Sequence, residues 1–181
     1  EAVDRLEKLT ATPPLPESSK PEKAAAFDVS LRNVSFRYEA AERDAVSHID
    51  LDIPQGKTVA LVGASGSGKT TIARLIPRFW DVREGSLKIG GMDVRHMDKA
   101  TLMRNVSFVF QNTRLFKTSI LENIRYGNPD ATIEQVNRAV DLSQSREIIE
   151  RLPQGLNTVI GAEGTYLSGG EQQRIVLARA I

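Results

Sequence analysis

The chain has 181 residues, enough for one main core with a subsidiary lobe and too few for two ordinary domains. Its 40% apolar content and net charge of +1 describe an ordinary globular protein, with no bulk electrostatics that favour nucleic acid or an anionic membrane surface. It has no cysteine, hence no disulfide or thiolate metal site; with no run of about 18 apolar residues and no leader at its start, it is expected to be soluble and not exported.

Residues Glu1 to Thr10 set Val3, Leu6 and Leu9 at helical spacing, which predicts the tail of a helix. Four prolines among Ser, Glu and Lys follow between Ala11 and Lys23, a composition that neither nucleates helix nor packs a core. Residues 1–26 are therefore expected to link the rest to something larger upstream. From Phe27 the apolar residues alternate, at Phe27, Val29 and Leu31 and then at Val34, Phe36 and Tyr38, as in strands with one buried face. Val46, Ile49, Leu51 and Ile53 continue the pattern up to the turn Pro54-Gln55-Gly56, and these strands are expected to pair antiparallel.

The run Thr58 to Val62 predicts a buried strand, and Gly63 to Thr70 (GASGSGKT) follows it directly. This stretch fits G-x-x-x-x-G-K-[ST], a loop that wraps backbone N–H groups around the phosphates of a nucleotide. Gly63, Gly66 and Gly68 permit that turn because they lack a Cβ and tolerate positive φ. The helix behind the loop, marked by Ile72, Leu75, Ile76 and Phe79, adds its positive end. Lys69 would reach the β- and γ-phosphates, and the Thr70 hydroxyl would hold a magnesium ion.

Pro77 is expected to end this helix, with Trp80 packed in the core at its end. Ser86 to Gly91 reads as a short strand closed by glycines and Lys99 to Arg104 as a helical turn. Val106 to Gln111 reads as a second apolar strand ending in a glutamine. The periodicity then becomes helical, at Ile120, Leu121 and Ile124, at Ile133, Val136 and Val140, and at Ile148, Ile149 and Leu152. Finally Leu167 to Glu171 (LSGGE) opens a last helix. Ser168 and Glu171 fit a capping box, and Gly169 and Gly170 leave bare backbone at the helix start, so the stretch reads either as a capped helix or as an anion site.

GASGSGKTT together with LSGGEQQR about a hundred residues later resembles the nucleotide-binding domain of ABC transporters, in its exporter-like branch: the first stretch is similar to the family's Walker A loop, the second to its signature. Tyr38 falls where the family's aromatic stacks on adenine, and Gln111 where its Q-loop glutamine meets magnesium and the transmembrane partner. By themselves, Tyr38 reads more readily as an ordinary sheet aromatic and Gln111 as a solvent-facing polar residue at a strand end. Ser119 to Thr132 looks like the opening of the family's helical lobe. His48 and His96 precede the signature, so neither is the family's switch histidine, and both are read as surface residues.

The resemblance implies an α/β P-loop NTPase core with an N-terminal antiparallel β subdomain and an inserted helical subdomain. Residues 1–26 would then come from a preceding transmembrane domain. The nucleotide-binding domain would occupy 27–181, with the β subdomain and P-loop core at 27–111 and the helical subdomain at 112–181. ATP and Mg2+ are the implied cofactors. The implied binding set is Tyr38, Gly63, Ser65, Gly66, Ser67, Gly68, Lys69, Thr70, Thr71, Gln111, Ser168, Gly169, Gly170 and Glu171, with Thr70 and Gln111 on the metal. The implied partners are a second nucleotide-binding domain and the transporter's transmembrane domain, at the cytoplasmic face of the membrane, with no nucleic acid.

The chain departs from the family pattern in three places. Glu171 stands where the family usually has Gln, Ala162 stands where it has Glu with Glu163 beside it, and the wording around both is similar to subunits that handle iron-siderophores. The family's Walker B Asp, catalytic Glu and switch His all follow the signature helix, and no Asp-Glu pair follows an apolar run here. The sequence is thus expected to be part of a domain that binds ATP but does not hydrolyse it alone. The rival expectations are a nucleotide-gated interaction module without hydrolysis, or an ABC ATPase outside transport.

Overall fold

A computed structural model describes residues 11, 13–18, 24, 26–161 and 166–181. The helix expected over Glu1 to Thr10, and the Ala162 and Glu163 positions, lie outside the described residues. The chain forms two compact units, Glu1–Val106 and Ser107–Ile181.

The first unit is built on a sheet of four strands: β1 (Val29–Phe36), β2 (Val46–Ile53), β3 (Glu84–Ile89) and β4 (Met92–Asp93). Their order is β2-β1-β3-β4, and every pairing is antiparallel, as the alternation predicts. One feature differs. The two alternating series, Val29/Leu31 and Val34/Phe36, were expected as separate strands but belong to one strand carrying a bulge at Arg32 and Asn33, where the register against both neighbours slips. Asn33 sits there at φ 51, and its N–H is taken up by Asp50 Oδ1 at 2.9 Å. A single extra residue reverses which face a side chain occupies, so Leu31, Val34 and Phe36 are all buried despite their odd-even mismatch.

Helix α1 (Lys69–Leu75) lays Ile72 and Leu75 into the same core as Leu31, Val34, Val46 and Leu87, each such aliphatic contributing about 1.5 to 3 kcal/mol when fully buried. It ends just before Pro77, which cannot donate the next hydrogen bond. Helix α2 (Lys99–Asn105) is capped by the Asp98 carboxylate, which accepts from Thr101 N at 2.8 Å, and adds Leu102 to the core.

Two expected strands are absent. Neither Thr58–Val62 nor Val106–Gln111 has strand structure. An apolar run becomes a strand only when a neighbouring backbone satisfies its N–H and C=O groups, and among the described residues no strand pairs with either run. Val62 is correspondingly 92% exposed. The Trp80 expectation is corrected as well: the ring is 37% exposed and lies against other aromatics at the edge of the core.

The second unit is helical, with α3 (Ile120–Arg125), α4 (Ile133–Leu142), α5 (Arg146–Glu150) and α6 (Gly169–Ala180). Ile120, Ile124, Val136, Val140, Ile148 and Ile175 close around one another as its core, the faces that the helical periodicity marks. The chain reverses into these helices through side-chain caps. Ser119 accepts from Glu122 N, and Thr132 and Gln135 make a reciprocal capping box. No helix among the described residues is long and apolar enough to cross a membrane.

Candidate functional site

The glycine-rich loop enters α1 through Gly68, whose φ of 85° is left-handed and which offers no side-chain cap to the helix. An alanine methyl at this point would stand 2.4 Å from Val46 Cγ1 and 2.6 Å from the Ala45 carbonyl oxygen. Glycine is therefore required twice, by conformation and by space. Gly66, at φ 78, turns the loop inward as expected. Gly63 does not: it is outside the positive-φ set, and a Cβ there would instead fall 2.8 Å from Ser67 Oγ, so its role is to leave room.

Lys69 curls back over the loop. Its ammonium donates to the carbonyl oxygens of Gly63 at 2.8 Å and Ala64 at 2.6 Å and to Ser67 Oγ at 3.2 Å. A positive charge is thus tethered inside the turn, next to the uncapped first-turn N–H groups of α1. A cleft of about 290 Å³ opens here, lined by Tyr38, Ala45, Gly66, Ser67, Gly68, Lys69, Thr70 and Thr71. Tyr38, which precedes the loop in sequence by a whole strand, reaches it from just beyond the end of β1, and its hydroxyl lies 3.2 Å from Thr71 Oγ1. Ser65 is exposed on the loop and Thr70 is exposed on the first turn of α1.

In the second unit Gln111 is exposed in a bend. The LSGGE stretch folds as its spelling predicts. Ser168 Oγ accepts from Glu171 N at 3.3 Å, and Glu171 Oε2 accepts from Ser168 N at 2.8 Å and from its hydroxyl at 2.9 Å. Gly169 and Gly170 are exposed, with open space where a Cβ would stand. What sequence reasoning missed is Arg151, whose guanidinium pairs with Glu171 Oε1. No spacing rule joins two residues 20 apart on different elements. Together the Ser168 backbone and hydroxyl bonds and then Arg151 hold the Glu171 carboxyl at about 2, far below its usual 4.5.

That depression has a measurable consequence. A carboxyl bound as its anion in the folded chain stabilises fold above the unfolded pKa, and the contribution is lost as pH falls from about 4.5 through about 2. Glu171→Gln keeps an acceptor for the Ser168 N–H but carries no charge. The gap in urea-unfolding stability between the native chain and the variant is expected to be constant above pH 5 and to close towards pH 2. A gap independent of pH would refute the assignment.

His48 and His96 are both exposed, as expected. Among the described residues no cluster of three or more His, Asp or Glu could hold a metal by itself.

Comparison with known proteins agrees with the loop and the capped helix. A family model described as ABC transporter matches residues 46–181. The ATP-dependent lipid A-core flippase of Vibrio cholerae serotype O1 is 48% identical over 155 residues, which is 85% of this chain and 27% of the flippase. The protein of the same description from Escherichia coli K12 is 45% identical over 158 residues, 87% of this chain and 27% of its own length. ABC transporter B family member 21 of Arabidopsis thaliana is 43% identical over 155 residues, 85% of this chain and 12% of that protein. Among solved structures, that of a bacterial Atm1-family ABC exporter with ATP bound superposes with a TM-score of 0.86 at 33% identity, covering 99% of this chain and 32% of that one. The chain thus spans about a quarter of the flippases it matches. Matched by the family model over most of its length, this chain belongs to the ABC transporter family and is an ATP-binding domain of the P-loop fold.

Proposed function

We propose that this domain supplies ATP binding, and one half of a composite ATP site, to a membrane transporter that couples ATP binding and hydrolysis to substrate movement. The observation that carries the reading is the Lys69 ammonium, tethered 2.8 and 2.6 Å from two loop carbonyls above the left-handed turn at Gly68. In that position it is a ready counter-charge for phosphate, and the bare helix start supplies N–H donors. Tyr38 stacks on the base, and Ser65, Ser67 and Thr71 complete the loop side. Thr70 presents an exposed hydroxyl, a hard oxygen suited to Mg2+. The ion would neutralise phosphate charge when bound.

Ser168, Gly169 and Gly170 complete the ATP site of a second nucleotide-binding domain rather than this one, their open N-terminal backbone facing that partner's phosphates. A transmembrane domain is the other partner, with this domain at the cytoplasmic face. The flippase relatives favour a lipid-like amphiphile over an iron-siderophore as the transported class. A nucleic-acid role is disfavoured by the net charge of +1.

Charge-assisted hydrogen bonds contribute about 1.5 to 3 kcal/mol each, so Lys69→Ala is expected to weaken Mg-ATP binding roughly ten- to a hundredfold. Titration calorimetry on the intact protein measures this, and unchanged affinity would refute the site. Phosphate release by the intact protein separates the transport ATPase from a nucleotide-gated module: release at background level, with ATP still bound, favours the module.

A further inference from the structure

Tyr38 is more firmly held than an exposed stacking platform needs to be. Its ring lies nearly perpendicular to Phe36, at 4.9 Å and 86°, and nearly perpendicular to Trp80, at 5.2 Å and 88°. Phe36 is buried in β1. Trp80 reaches the ring from the opposite end of α1, beyond Pro77, and is steadied by Phe79 at 6.4 Å and by Phe36 at 6.0 Å. The third restraint is polar: the Tyr38 hydroxyl and Thr71 Oγ1 share a hydrogen bond at 3.2 Å, and Thr71 is itself buried on the phosphate-loop helix. One aromatic from the sheet, one from beyond the helix and one hydroxyl on the helix therefore fix both the tilt and the depth of a single ring at the wall of the cleft.

We propose that Trp80, with Thr71, is a positioning residue for nucleotide binding: it presets the Tyr38 ring to receive the base, so that binding does not have to order it. The inference rests on the reading that Tyr38 stacks on the base. An aromatic ring lodged edge-to-face between two others loses its rotamer freedom before the ligand arrives, and affinity gains by that pre-organisation. Trp80 explains itself on these terms. The ring is 37% exposed and sets its inner surface against Tyr38, Phe36 and Phe79. The same α1 that carries Lys69 and Thr70 at its start carries Thr71, so the ring and the phosphate-binding groups are registered against one helix.

The test compares two ligands in the intact protein, Mg-ATP and Mg-tripolyphosphate; the second engages the loop but has no base. Tyr38→Ala is expected to lower ATP affinity about tenfold and leave tripolyphosphate unchanged. Trp80→Ala is expected to lower ATP affinity roughly three- to tenfold, again with tripolyphosphate unchanged, and Trp80→Phe to recover most of the loss because it retains an edge-to-face partner. Thr71→Val, which keeps shape but removes the hydroxyl, is expected to lower ATP affinity by a larger factor than tripolyphosphate affinity, and equal losses would leave Thr71 to the loop alone. If Tyr38→Ala lowers the ATP-to-tripolyphosphate ratio but Trp80→Ala does not, base stacking stands and the positioning role is overturned. If Trp80→Ala weakens both ligands equally, Trp80 supports the loop as a whole and the positioning role is again overturned. If neither variant alters the ratio, the stacking reading itself fails and the inference falls with it.

Discussion

Replacing Asn123 by leucine is expected to destabilise the helical unit by about 2 to 3 kcal/mol, a large effect for one substitution. Asn123 lies in α3 with no exposed surface. Its Oδ1 accepts from Phe116 N at 2.9 Å and from Arg179 Nη2 at 3.0 Å, while its Nδ2 donates to the carbonyls of Phe116 and Ser119, each at 3.0 Å. Its own carbonyl accepts from Arg179 Nε at 2.7 Å. One side-chain amide thus holds the turn before α3 and, through Arg179, the last turn of α6. Leucine fits the volume but leaves the half-buried Phe116 N–H without its acceptor, at a cost of about 1 to 3 kcal/mol, while the carbonyls of Phe116 and Ser119 keep only the backbone N–H groups of Thr118 and Asn123. It also strips an acceptor from a guanidinium whose pKa burial already lowers. Arg179→Met is expected to cost about 2 kcal/mol, because it leaves the amide its loop bonds. Urea unfolding followed by circular dichroism decides: a loss below about 1 kcal/mol for Asn123→Leu would show that the turn finds other partners.

Asn123 also marks where sequence reading stops. Between Ile120 and Ile124 it occupies the apolar face of a periodic helix, and nothing in its spacing says that its partners are the preceding turn and a helix 56 positions on. The Arg151–Glu171 pair is hidden for the same reason. What was legible is local. The capping box at Ser168 and Glu171 is an i, i+3 relation, and the glycines of the phosphate loop spell backbone conformation directly. Periodicity located the buried faces of α1, α3 and α4, but it read the one bulged strand Val29–Phe36 as two, because a bulge shifts phase without any residue type that announces it. Thr58–Val62 and Val106–Gln111 failed for a different cause. Alternation and apolarity describe a side chain's surroundings, whereas a strand is defined by its neighbour's backbone, and none of the described residues supplies one.

Gly68→Ala is expected to abolish measurable ATP binding and to cost the first unit about 2 to 6 kcal/mol, a combination no other loop position should reproduce. Two terms add. A non-glycine residue at φ 85 is strained by about 1 to 3 kcal/mol. Its methyl would also meet Val46 Cγ1 at 2.4 Å and the Ala45 carbonyl oxygen at 2.6 Å, so the loop must move away from β2 at the cost of overpacking, about 1 to 3 kcal/mol. Any such movement displaces the start of α1 and with it Lys69, whose ammonium is positioned against Gly63 and Ala64 to within hydrogen-bonding distance. Gly66→Ala is the control: Gly66 has φ 78 but open space where a Cβ would stand, so it carries the strain without the clash. It is expected to lose about 1 to 3 kcal/mol and retain weakened binding. Val46→Ala combined with Gly68→Ala separates the remaining terms. Removing Cγ1 relieves one contact, but the Ala45 carbonyl is backbone and the φ is unchanged, so stability is expected to return only in part and ATP binding to stay lost. Full recovery of both in the double variant would mean that side-chain crowding alone, not the left-handed turn, makes position 68 a glycine.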